Sequence, residues 1–99
     1  MEHAKLLDAE RLPEGSVCEV RLGERVLAVC KAEGRYYAVS GVCPHAGGPI
    51  GHGALHGYAL VCPWHAWEFD CRTGACDFNS SRLETFDVSV VEGEVWVDA

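Results

Sequence analysis

Near the middle of the chain, Gly41 to Gly57 (GVCPHAGGPIGHGALHG) cannot form a regular strand. This stretch holds six of the eleven glycines, two of the four prolines and three of the five histidines. Glycine and proline at that density interrupt strand ladders. A loop this long inside a chain of only 99 residues is ordinarily a functional one.

The rest of the sequence is short, β-branched runs separated by glycine turns. Ser16 to Leu22 alternates apolar and polar residues and reads as a strand. Gly23-Glu24 is a turn, and Arg25 to Ala32 is the return strand. Glu33-Gly34 turns again into Arg35 to Ser40, giving a meander. Tyr58 to Val61 and Ala66 to Asp70 are two further short strands. Arg82 to Val91 and Glu94 to Asp98 form a last hairpin about Glu92-Gly93. Ala4 to Leu12 is the only candidate helix, and a weak one. The expectation is a single all-β domain, residues 1–99, built of small antiparallel sheets.

Hydrophobic residues make up 48% and charged residues 23%, a globular composition. Fifteen acids against eight bases leave a net charge of −7, which makes nucleic acid and anionic membrane poor partners and a basic protein face a plausible one. No apolar run approaches the ~20 residues of a membrane span. Met1 to Asp8 has no apolar segment of secretory type, so a cytoplasmic monomer is expected.

In that compartment the six cysteines point to metal rather than to disulfides. Only Cys43 and Cys62 have close histidines in a metal-like spacing: Cys43-Pro44-His45, sixteen residues, then Cys62-Pro63-Trp64-His65. Each loop offers one thiolate and one imidazole. The prolines stiffen the loops, and Gly47, Gly48, Gly51 and Gly53 allow close backbone approach.

Two chemistries fit two cysteines and two histidines. Tetrahedral zinc ordinarily takes like ligands in local pairs, two or more residues apart. A [2Fe–2S] centre in which two histidines replace two cysteines on one iron suits mixed pairs better, because each loop can give sulfur to one iron and nitrogen to the other.

The remaining candidates have plainer readings. His52 and His56 read as solvated or backbone-bonded, and His3 as inert near a frayed terminus. Cys18 and Cys30 read as small core residues. Cys71 and Cys76 flank Thr73-Gly74 and would face each other across that turn, as a reduced pair. Trp64 reads as exposed and Trp67 as a shield for the centre.

The pattern C-x-H-x16-C-x2-H, followed by Trp67, Phe69, Asp70 and Thr73-Gly74, resembles the Rieske family. CPWHAWEFDCRTG is similar to the second cluster loop of Rieske ferredoxins serving bacterial oxygenases. The resemblance implies a Rieske-like fold, with a cluster-binding subdomain of two loops at about 41–76 and one [2Fe–2S] cluster. It implies that Cys43 and Cys62 hold the buried iron, and His45 and His65 the outer one.

High-potential family members carry a disulfide between the cluster loops. The matching positions here are Gly48 and Trp64. Those members also have a serine and a tyrosine that hydrogen-bond the cluster, where this chain has Trp67 and Phe69. A potential near the lower Rieske limit, about −150 mV, follows from that comparison. The potential is expected to fall with pH under alkaline conditions. The chain departs from the family at Asp77 to Leu83, which lacks the proline of the usual third loop.

The implied role is that of a one-electron carrier, not itself an enzyme. It docks transiently with a flavin-dependent reductase and a terminal, ring-hydroxylating oxygenase. The alternatives are a small subunit of an assimilatory nitrite reductase and a structural zinc module.

Overall fold

The computed structural model describes residues 3–44, 47–64, 66–77 and 80–99. Nine strands run through the described residues: β1 (His3–Asp8), β2 (Val17–Leu22), β3 (Arg25–Ala32), β4 (Arg35–Ser40), β5 (Ala54–His56), β6 (Ala59–Val61), β7 (Glu68–Asp70), β8 (Thr85–Val91) and β9 (Glu94–Asp98). The only helical pieces among the described residues are single 3-10 turns at Ala9–Arg11 and Ile50–His52. The chain is therefore all-β, as the sequence implies.

Six strands form one antiparallel sheet in the order β1-β9-β8-β4-β3-β2, and three form a second in the order β5-β6-β7. The large sheet is made from the two ends of the sequence. Its β4–β8 junction is short, pairing Ala38 with Phe86 and Val39 with Thr85. Ser40 N–H also donates to Glu84 O at 2.8 Å. Residues 41–84 thus leave and rejoin the large sheet at neighbouring points, and the small sheet lies within that excursion.

β3 explains how the two parts share a core. Strand side chains alternate between faces. Ala28, Cys30 and Ala32 point into one apolar cluster, together with Ile50, Leu60 and Phe69 of the excursion. Leu27 and Val29, on the opposite face, join Leu12, Ala38 and Val97 in a second cluster. Both faces of β3 are buried, and the residues from Leu27 to Cys30 are at most 1% exposed.

Ala4 to Leu12 is not helical. Its first part is β1, paired antiparallel with β9 from His3↔Asp98 to Asp8↔Glu94, and only Ala9–Arg11 turns helically. Lys5 Nζ reaches Asp8 on its own strand at 2.9 Å and Glu94 on β9 at 3.0 Å. His3 is also not inert: Nδ1 lies 2.7 Å from Asp98 Oδ1, and its ring stacks on Trp96 with centroids 5.0 Å apart. β5 lies within the glycine-rich stretch that the sequence reading leaves as loop, and β7 and β8 start later than expected.

Candidate metal centre

Two loops of the excursion carry the cysteines with histidine neighbours, and they share one backbone pattern. In the first, Cys43 N–H donates to Gly48 O at 2.9 Å, and Gly47 N–H donates to Cys43 O at 2.8 Å. In the second, Cys62 N–H donates to Trp67 O at 2.9 Å, and Ala66 N–H donates to Cys62 O at 3.0 Å. Each cysteine is thus clamped at both its N–H and its C=O by residues four and five positions ahead. The residue four ahead takes a left-handed conformation in both loops: Gly47 at φ +75° and Ala66 at φ +57°. Glycine takes that conformation freely, whereas alanine does so with strain.

Cys43 and Cys62 are each 2% exposed and sit in the same apolar cluster. Gly48 joins them. Its carbonyl accepts from Cys43 N–H, and a Cβ placed on it would lie 2.7 Å from Cys62 Sγ. The backbone of the first loop therefore rests directly against the sulfur of the second. The indole of Trp64 lies over the same spot, with Cγ and Cδ2 each 3.2 Å from that Cβ position. Trp64 is otherwise 57% exposed, in keeping with its sequence reading. Trp67 is partly buried and packs against the cluster that contains both cysteines.

The first loop is seated on the large sheet through the Ile50–His52 turn. Ile50 is fully buried, and a Cβ on Gly51 would come within 2.7 Å of Glu19 Cα on β2. His52 is exposed and lies 3.4 Å from Glu19, and His56 is exposed as well. Neither sits where the two cysteines meet. His45 and His65, the other two expected ligands, lie outside the described residues. Among the described residues no group of three or more metal-binding side chains gathers.

The second loop is held from below by the turn after β7. Asp70 accepts two bonds from the Arg72 guanidinium, at 3.0 and 2.8 Å, and one from Arg72 N–H at 2.8 Å. The Arg72 guanidinium also lies 3.8 Å from the centre of the Tyr58 ring. Arg72 holds the Asp70 carboxyl below its ordinary range. Gly74 and Leu83 then close the excursion, with Leu83 N–H donating to Gly74 O at 2.8 Å. The proline-free stretch 77–83 is anchored at both ends by Asp77 N–H to Glu68 O and by buried Leu83. Phe78 and Asn79 lie outside the described residues.

Cys71 finds its side-chain partner in Cys30 on β3. The sequence pairs it instead with Cys76, five residues further on, which bridges to Phe69. The hydrogen bond to Cys71, and burial after it, push the Cys30 thiol far above its ordinary range, so Cys30 remains a proton donor. Burial also raises Cys18. Cys18 and Cys30 are packing groups of the core rather than nucleophiles.

The donor set therefore comprises two dry thiols, brought together by a glycine contact at the base of two matched loops. That chemistry fits an iron–sulfur centre, whose sulfurs are favoured by apolar surroundings and by backbone N–H groups.

Comparison with known proteins agrees. Residues 2–87 match the Rieske [2Fe–2S] domain. The chain is 32% identical over 99 residues to the ferredoxin component of the naphthalene 1,2-dioxygenase system of Pseudomonas aeruginosa, covering 95% of each chain. Among solved structures it is similar to the complex of reduced oxygenase and oxidised ferredoxin in carbazole 1,9a-dioxygenase. There it matches at 32% identity and a TM-score of 0.88, covering 95% of this chain and 99% of that one. A protein described as the small subunit of a nitrite reductase shares the fold at 20% identity and a TM-score of 0.83.

Proposed function

Because the chain belongs to the Rieske [2Fe–2S] domain family and takes one [2Fe–2S] cluster as its cofactor, we propose that it is a low-potential one-electron carrier between a flavin-dependent reductase and a terminal, ring-hydroxylating oxygenase. Residues 1–99 act as one Rieske domain, with about 41–76 as its cluster-binding part. Cys43 and Cys62 hold the inner iron, and His45 and His65 hold the outer iron. When bound, the cluster supplies reversible one-electron storage.

The chain's own residues do the rest. The paired N–H and C=O clamps fix each cysteine, and burial keeps water from the sulfurs. Trp67 and Phe69 bring no hydroxyl to the site, which supports a potential near the lower Rieske limit, about −150 mV. The chain is an electron-transfer component rather than a catalyst: its full-length relatives are ferredoxin components. No helix among the described residues is long and apolar enough to cross a membrane. A soluble cytoplasmic monomer that docks transiently is the form that suits this role.

The observation that carries the proposal is the meeting of Cys43 and Cys62 through Gly48. The test is the visible and EPR spectrum of the purified protein, with its midpoint potential. A rhombic signal on reduction is expected, and H45A and H65A each abolish it. Colourless protein holding one zinc per chain overturns the proposal, as does a variant with an unaltered spectrum for the ligand concerned. Stable co-purification with a large haem-bearing subunit replaces the shuttle with a nitrite reductase subunit.

A further inference from the structure

One residue at the centre does more than clamp a cysteine. Gly48 touches both loops at once: its carbonyl holds Cys43 N–H, and its Cα faces Cys62 Sγ. The Trp64 indole lies on the outer side of the same glycine while more than half of the residue remains in solvent. An exposed tryptophan normally gains by burying its ring elsewhere. Here the ring rests on the one residue with no side chain to hold it off. Cys62 is nevertheless only 2% exposed. A side chain on Gly48 would meet both this sulfur and the indole.

We propose that Trp64 is the cover of the Cys62 sulfur, that Gly48 is the seat on which the cover closes, and that this pair sets the reduction potential and retention of the cluster. This deepens the functional reading above and rests on it.

The effect of the cover is electrostatic. Reduction adds one negative charge to the cluster and its sulfur ligands. Water beside a ligand sulfur donates hydrogen bonds and raises the local dielectric, and both favour the reduced form. Excluding that water keeps the potential low. Trp64 is a positioning and shielding residue in this scheme, since it acts on Cys62 and exchanges no electrons itself. A methyl group at position 48 would sit 2.7 Å from the sulfur and 3.2 Å from the ring, so it would lift the cover without removing it.

The experiment uses cluster-loaded wild-type protein, W64F, W64A and G48A. Midpoint potentials come from EPR-monitored redox titration, and cluster loss from the decay of visible absorbance in EDTA. W64A is expected to shift the reduction equilibrium about tenfold toward the reduced form, a rise of ~59 mV for one electron. It should also lose its cluster several-fold faster, with its melting transition unmoved. W64F should lie close to wild type, because a flat ring is retained. G48A should move the potential in the same direction as W64A although Trp64 is still present. If G48A fails to load, the W64A and W64F pair decides alone.

A loaded W64A with a wild-type potential and a wild-type rate of cluster loss overturns the inference. So does a W64A that only slows electron exchange with partner proteins, because that makes the ring a docking residue. Wild-type protein without a cluster overturns the functional reading itself, and is distinguished by its missing colour.

Discussion

Ala66 holds a conformation that its loop requires and its side chain resists. It sits at φ +57° so that its N–H can reach Cys62 O, in the place that Gly47 fills in the other loop. A left-handed residue with a side chain costs about 1–2 kcal/mol. Glycine there relieves that strain but adds about 0.4–1 kcal/mol of unfolded-state entropy. A66G is therefore expected to stabilise the protein by up to about 1 kcal/mol, read as a higher midpoint in urea. A lower midpoint would show that the alanine methyl packs usefully. At this scale the sequence makes the two cysteine–histidine pairs plain, because ligand spacing is local. It does not show that Gly48 meets Cys62, or that Cys71 meets Cys30, since those contacts cross between loops and sheets.

Among the elements, β7 and its turn connect the small sheet to the second loop. The Asp70–Arg72 pair depresses the Asp70 carboxyl, so its stabilising contribution is present above the ordinary carboxylate range. It is lost as pH falls through the depressed value. D70N should be less stable than wild type at neutral pH, and the difference should shrink in acid below the ordinary carboxylate range. Thermal melts at neutral and acid pH measure this, and a difference that does not change with pH would remove the assignment. The pair is partly exposed, so the effect is modest. The β2–β3–β4 meander and the last hairpin are legible because neighbouring runs pair with each other. β1 is not. Residues 4–12 (AKLLDAERL) carry good helix formers, and the strand is decided by β9 at the far end of the chain. Non-local pairing overrides local preference there. β5 is three residues long and sits among glycines, where no run of side chains announces it.

For the whole molecule, the net charge of −7 is a statement about encounters. If the partners present basic faces, raising ionic strength from low to physiological values should slow electron exchange by about tenfold or more, as the Debye length shortens to ~8 Å. Stopped-flow rates against salt check this, and a flat profile would leave shape alone to guide docking.

The order of strands in the large sheet has a bearing on refolding. β1 pairs with β9 and β4 with β8, so the sheet closes through residues far apart in sequence. Pairings of that kind form slowly, because the intervening chain must be ordered before they are rewarded. The β2–β3–β4 meander can form early, while the scaffold beneath the cysteine loops is completed late in refolding.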